Sequence, residues 1–320
     1  VLHLNLFETF FIATLFFMNK HTVFLSEALH SDALALLTSH CTIVSTFDNP
    51  EQIEGIITRK IPVTAEIMAQ CPHLRVISDH GTGTDKIDLA EAKKRGIIVK
   101  NTPGENAESV AELAVSFMLS LLFKVKQNDS GLCAGTFSKW GLSKLNGNEL
   151  FGKKIGFIGS GFTAQRTAEI VRTAFSCSVF CFNPHRSATE LSALGFSKID
   201  TLAQLFQTMD IVSVNVPLTA ETKNLVNERI FAVANPALLL VNTSRGGIVN
   251  EHDLFRALDS HCIAGAASDV FEQEPPESKN PLLSLSNFIA TLHVAGSTEE
   301  SLRRVGLKTV ENLLSAFEAK

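Results

Sequence analysis

Lys154-Ile155-Gly156-Phe157-Ile158-Gly159-Ser160-Gly161-Phe162-Thr163-Ala164 decides the fold: an apolar run of β type passes straight into G-x-G-x-x-A and then into a helical pattern. The hexad alone reads as an ordinary tight turn, and the strand before it and the helix after it make it informative. Gly159 permits the turn, Gly161 lets the backbone approach a pyrophosphate, and Ala164 is small enough for helix and strand to pack closely. The first N–H groups of the helix add donors and positive dipole for phosphate oxygens.

Outward from this loop, strands at 178–182, 211–214, 238–242, 263–267 and 288–291 alternate with helical stretches, giving the six strands of a complete dinucleotide-binding sheet. Upstream, strands at 22–25, 42–45, 55–58, 74–78 and 97–99 alternate with helices at 31–37 and 64–69. Asp88 with Glu91 forms a capping box there, and Gly96 stops the helix that follows. Between the two series a helix runs from Asn106 to Val125, its apolar residues Val110, Leu113, Ala114, Phe117, Met118 and Leu121 making one broad face. Such a face suits a core or a subunit interface. From Ser297, capped through Ser297…Glu300, a last amphipathic helix returns to the first series.

The expected fold class is α/β: two Rossmann-like domains, parallel sheets flanked by helices, with an active-site cleft between them. Residues 18–105 with 298–320 form the substrate (catalytic) domain and 106–297 the NAD(P)-binding domain. A chain of 320 residues, 45% hydrophobic and 19% charged, is long for one core and apolar enough for two. Its net charge of −5, with no run of Lys or Arg, argues against a nucleic-acid partner. The six cysteines lack CxxC spacing, which suits reduced thiols in a cytoplasmic protein and shows no metal-ligand pattern. Residues 1–17 are apolar but have no basic leader and include Asn5 and Glu8. They fall short of the about 20 residues a membrane helix needs, and are expected to be an extension outside the fold.

The strand after the glycine loop ends in Phe182-Asn183-Pro184-His185-Arg186-Ser187. An acid here would grip both ribose hydroxyls, and none is present. Asn183, Arg186 and Ser187 suit a 2′-phosphate instead, so NADP is expected ahead of NAD; an ordinary turn with a solvated arginine is the alternative.

Three more clusters stand at strand ends, where open α/β sheets put their ligands. They are Val241-Asn242-Thr243-Ser244-Arg245-Gly246-Gly247-Ile248-Val249, Ala266-Ala267-Ser268-Asp269-Val270-Phe271-Glu272-Gln273-Glu274-Pro275-Pro276 and Thr291-Leu292-His293-Val294-Ala295-Gly296-Ser297-Thr298. Together they supply a guanidinium, a carboxylate and an imidazole. With His80-Gly81-Thr82-Gly83-Thr84-Asp85, Asn101-Thr102-Pro103, Ser109-Val110-Ala111-Glu112 and Val216-Pro217-Leu218-Thr219…Glu221-Thr222, the chain from about Asn19 onward resembles the D-isomer-specific 2-hydroxyacid dehydrogenase family.

That resemblance implies an oxidoreductase moving a hydride between NAD(P)H and a small 2-keto or 2-hydroxy acid such as glyoxylate, hydroxypyruvate or 3-phosphoglycerate. Arg245, Glu274 and His293 take the catalytic positions. Asp269 and Pro217 line the nicotinamide and adenosine pockets, and Val110, Phe162, Thr163, Thr222, Thr243, His293 and Gly296 are further cofactor contacts. Thr82 and Gly83 hold the substrate carboxylate by their backbone. Apart from the resemblance, Arg59 in Thr58-Arg59-Lys60 is a candidate for an acidic substrate tail, with a surface arginine the alternative. Leu292 stands where the family usually has proline, and Asn183 where it usually has an acid. The long helix and the loop at Trp140 are expected to build a homodimer, and no regulatory domain is expected after Lys320. A nucleotide-sensing, corepressor-like protein on the same fold is the alternative function.

The chemistry fits these residue types. Reduction of a 2-keto acid needs a proton for the carbonyl oxygen, which His293 can give, and Glu274 beside the ring would favour imidazolium and fix its orientation. Arg245 can bind the carboxylate and polarise the carbonyl.

Overall fold

The computed structural model describes residues 20–135 and 146–319. The expected extension at residues 1–17 and the loop at Trp140 lie outside the described residues. The chain divides into two compact units, one taking in the chain up to Pro103 and again from Leu302, the other Gly104–Ser301.

The first unit is built on a five-stranded parallel sheet in the order β2-β1-β3-β4-β5: β1 (His21–Leu25), β2 (Cys41–Val44), β3 (Gly55–Thr58), β4 (Val76–Asp79) and β5 (Ile98–Lys100). β3 and β4 are buried along their whole length, β4 including the polar Ser78 and Asp79, so neither shows the alternation of a half-exposed strand. α1 (Ser31–His40), α2 (Ala65–Gln70) and α3 (Leu89–Lys94) connect the strands. Thr64 caps α2 through the Ile67 N–H, and Asp88 caps α3 through the Glu91 N–H. The expected capping box at Asp88 is only half made, because the Glu91 carboxylate turns to Arg95 and Lys94 instead of back to the cap.

The second unit carries seven parallel strands in the order β12-β11-β10-β9-β6-β7-β8. The strands are β6 (Lys154–Ile158), β7 (Ser178–Phe182), β8 (Ser197–Lys198), β9 (Ile211–Val214), β10 (Leu239–Asn242), β11 (Gly265–Ser268) and β12 (Phe288–Ala290). Counted from β6 this is the doubly wound order 3-2-1-4-5-6 with one strand added, so the chain reverses direction between β6 and β9 and leaves a crevice at their carboxyl ends. The six-strand expectation lacked β8, which at two residues is too short to show a period. Side chains alternate between two apolar layers: Leu240 packs with Val212, Val214 and Phe288, whereas Leu239 and Val241 pack with Ile155 and Phe157.

The remaining helices are α4 (Ala107–Leu122), α5 (Val125–Cys133), α6 (Phe162–Phe175), α7 (Ala188–Ala193), α8 (Leu202–Thr208), α9 (Glu228–Phe231), α10 (Glu251–Asp259) and α11 (Glu299–Glu318). The helix expected over 106–125 is α4, which stops at Leu122, and α5 follows it from Val125. Lys124 takes a left-handed conformation (φ 53°), and the carbonyl of Leu122 accepts from the N–H of Asn148. Asn128 donates its side-chain amide to the Phe123 and Lys124 carbonyls, and its backbone N–H also goes to the Lys124 carbonyl. At α11 the cap is Thr298, whose hydroxyl accepts from the Ser301 N–H at 3.2 Å, and not the expected Ser297. Among the described residues no helix is long and apolar enough to cross a membrane.

One polar residue stands out in the first unit's interior. His80, directly after β4, is 6% exposed, and neither ring nitrogen has a hydrogen-bond partner among the described residues. Its ring lies under α11, with Nε2 3.6 Å from where a Cβ on Gly306 would sit. Burial, with the Arg59 guanidinium second, lowers its pKa to about 4 from an ordinary 6.5. Between those values the unfolded chain binds the proton and the folded chain does not, so stability falls as pH drops through this window. The full effect is on the order of 3 kcal/mol. Urea unfolding followed from pH 7 to pH 4 should therefore lose more stability in the wild type than in His80→Leu; equal losses would show that His80 carries none of the pH dependence.

Candidate active site

The loop after β6 is shaped by a contact that only glycine allows. Gly159 has φ 92°, and a Cβ there would lie 2.6 Å from the Asn215 carbonyl oxygen. The loops leaving β6 and β9 thus touch backbone to backbone at the point where strand order reverses. Gly161 is the N-cap of α6 with no side-chain cap, and a Cβ built on it meets nothing within 4 Å. Open space in front of uncapped helical N–H groups fits a dinucleotide pyrophosphate, as the residue pattern leads one to expect. Phe162 is 60% exposed at the first position of α6, Thr163 follows it, and Ala164 is fully buried against the sheet.

At the end of β7, Asn183 donates its amide to the Ser160 hydroxyl at 3.0 Å and accepts the His185 N–H, so it braces the phosphate loop. Arg186 is half-buried, and Lys198 donates to its carbonyl at 3.1 Å. Ser187 is engaged elsewhere. It caps α7, with both its N–H and its hydroxyl directed at the Glu190 carboxylate in a reciprocal capping box. Arg186 and Asn183 therefore remain the candidates for a 2′-phosphate ahead of Ser187. After β9, the Pro217 carbonyl accepts the Thr222 hydroxyl at 2.6 Å, closing the turn that bears both candidates.

β10 ends at Asn242, which shapes the turn carrying Arg245. Its carbonyl oxygen Oδ1 accepts from both the N–H and the hydroxyl of Ser244, and its Nδ2 donates to the Arg245 carbonyl. Thr243 beside it is buried, and its hydroxyl has no partner among the described residues, which fits a cofactor amide. A Cβ on Gly246 would lie 1.9 Å from the Phe271 carbonyl oxygen. The Arg245 loop is thereby pressed against the loop that carries Glu274.

Asp269, at the end of β11, is 1% exposed and does not reach outward. Its Oδ1 accepts from the Thr291 hydroxyl at 2.5 Å and the Val294 N–H at 2.9 Å, and its Oδ2 from the Ala295 N–H at 2.9 Å. Its own carbonyl accepts the His293 N–H at 2.7 Å. These bonds hold His293 at φ 48°, a left-handed conformation uncommon for a residue with a side chain. The imidazole then stands half-exposed, with Nδ1 2.8 Å from Glu274 Oε2, while Glu274 Oε1 accepts the Phe271 N–H at 3.2 Å. Gly296 meets Asn106 at the start of α4, and Val110 lies buried one turn further along.

Arg59, Thr82 and Gly83 belong to the first unit, at the carboxyl ends of β3 and β4. The Thr82 carbonyl accepts from Asn101 and the Gly81 carbonyl from Thr102, which fixes the shape of that loop. Asn242, Gly246 and Thr291 were not singled out from the sequence as site residues. All three stood within the recognised strand-end clusters, but the hydrogen bond that explains Thr291 and the backbone contact that explains Gly246 join segments far apart in the chain.

Residues 115–295 match the family described as D-isomer specific 2-hydroxyacid dehydrogenase, NAD binding domain. A hydroxypyruvate reductase of Thermotoga maritima is 35% identical over 92% of this chain and 98% of its own length. A D-3-phosphoglycerate dehydrogenase of Archaeoglobus fulgidus is 36% identical over 82% of this chain, which spans about half (49%) of that longer relative. Among solved structures, an NADPH-dependent glyoxylate/hydroxypyruvate reductase of Sinorhizobium meliloti in complex with NADP and malonate superposes with a TM-score of 0.83 at 28% identity, covering 94% of both chains. A D-lactate dehydrogenase of Aquifex aeolicus complexed with NAD and lactic acid gives 0.80 at 27%, covering 93% of this chain and 95% of its own. Matched over more than half its length by the family and over nearly all of it by such relatives, the chain belongs to the D-isomer specific 2-hydroxyacid dehydrogenases and is an NAD(P)-dependent oxidoreductase.

Proposed function

We propose that this chain reduces small 2-keto acids of the glyoxylate and hydroxypyruvate kind to D-2-hydroxy acids, with His293 as proton donor. The observation that carries the reading is the 2.8 Å contact between His293 Nδ1 and Glu274 Oε2. A carboxylate at Nδ1 favours imidazolium and leaves Nε2 for the substrate oxygen. Arg245, carried on the loop that Gly246 presses against Phe271, pairs with the substrate carboxylate and polarises the carbonyl. Nicotinamide, when bound, supplies the hydride. The Thr82 and Gly83 backbone is the proposed holder of the substrate carboxylate, and Arg59 of an acidic tail.

NADPH is the proposed preference. Asn183 stands where a carboxylate would repel a 2′-phosphate, and Arg186 is the cation nearest in sequence. The cytosol is the proposed location, in keeping with six free thiols. A homodimer is proposed through α4, because Leu119, Phe123, Val125 and Ile170 line an apolar groove on which Phe123 and Val125 are half-exposed.

Turnover of glyoxylate and hydroxypyruvate with each reduced nicotinamide tests the main reading. The wild type should turn over at least one acid with a higher kcat/KM for NADPH, and Arg186→Ala should lose on the order of tenfold to a hundredfold with NADPH but little with NADH. His293→Ala should bind cofactor normally yet lose ~10²–10⁴ in turnover; normal turnover in that variant removes the histidine from the chemistry. Light scattering at micromolar concentration should give twice the chain mass, and a monomer would refute the dimer.

A further inference from the structure

Ser109 lies on the third residue of α4, is 4% exposed, and has a hydroxyl that does something other buried hydroxyls on the helices do not. Thr167 on α6 and Thr309 on α11 bond back to carbonyls four residues earlier in their own helices. That is the usual resting place of a helical hydroxyl. The Ser109 hydroxyl donates instead to the Ala295 carbonyl, 186 residues away, on the loop that carries His293.

The same peptide segment is held from its other side by Asp269, which takes the N–H groups of Val294 and Ala295. The post on which Ser109 stands is itself fixed. Its neighbour Glu108 accepts two hydrogen bonds from Arg166 of α6, at 2.6 and 2.9 Å. Gly296 adds a close approach, since a Cβ there would lie 3.1 Å from Asn106 Nδ2.

We propose that Ser109 is a positioning residue for His293: by tying the Ala295 carbonyl to the first turn of α4 it sets the aim of the imidazole. Asp269 draws the N–H side of the loop inward, and Ser109 stops the loop from turning about that anchor. Without the hydroxyl the Ala295 carbonyl is left buried and unpaired, and the loop relieves this by rotating, which loosens the ring from Glu274. The inference rests on the reading of His293 as proton donor.

The test compares wild type, Ser109→Ala and Ser109→Cys, the last keeping the size with a weaker donor. Activity with glyoxylate or hydroxypyruvate is read against pH, and the histidine side chains of the unliganded protein are titrated by NMR. Ser109→Ala should lose about tenfold in kcat with the cofactor KM unchanged within about twofold, and its kcat/KM profile should move to lower pH. The NMR midpoint of His293 should move the same way, and Ser109→Cys should fall between. If the alanine variant does not fold, the cysteine variant is read by the same criteria. Wild-type kcat and an unmoved profile in folded Ser109→Ala would overturn the proposal. A wild type that turns over no 2-keto acid would defeat the proton-donor reading, while an unmoved NMR midpoint in the variant would separately defeat the role of Ser109.

Discussion

The site depends on one buried carboxylate. Asp269 is almost wholly removed from solvent at the end of β11, and a charge so placed is tolerated only if its oxygens are paired. Its pairs are the Thr291 hydroxyl and two successive N–H groups that follow His293. Satisfying the carboxylate therefore dictates the path of the His293 loop, down to the left-handed backbone of His293 itself. What resemblance suggests as a residue lining the nicotinamide pocket is, by its hydrogen bonds, also the anchor that gives the imidazole a place to stand.

The other loops follow from two close approaches. Gly159 against Asn215 joins the loops of β6 and β9 at the reversal of strand order, and Gly246 against Phe271 joins those of β10 and β11. Both contacts occupy the space where a side chain would be, so neither loop can move outward without opening a gap or inward without a clash. An uncapped helix start, a guanidinium loop and a carboxylate–imidazole pair are thereby set at the carboxyl ends of one sheet, the location expected of ligand sites in folds of this type. Binding energy is then not needed to assemble the loops within this unit.

Much of this was legible in the sequence. The strands at 154–158, 178–182 and 211–214 are legible to the residue, because buried parallel strands are written as short, mostly apolar runs bounded by turn residues. Arg245, Glu274 and His293 could be nominated because their three clusters follow strand ends together and because the family resemblance puts them in catalytic positions. Local hydrogen bonding defeated the reading elsewhere: Thr298 caps where Ser297…Glu300 also fitted the pattern. Ser187 looked like a phosphate donor, yet its donors are directed at Glu190. The links made by Asp269 and Ser109 join residues distant in the chain, and no local spacing encodes them.

The central proposal is that His293, its Nδ1 bonded to a Glu274 that is itself held by the Phe271 N–H, is the proton donor. Glu274→Gln retains the shape and a hydrogen bond but removes the charge. The dependence of kcat/KM on pH, measured for this variant beside the wild type with the same keto acid and cofactor, tests the claim directly. The account predicts a profile displaced to lower pH, because imidazolium loses the carboxylate that favours it. A profile that superposes on that of the wild type would contradict it.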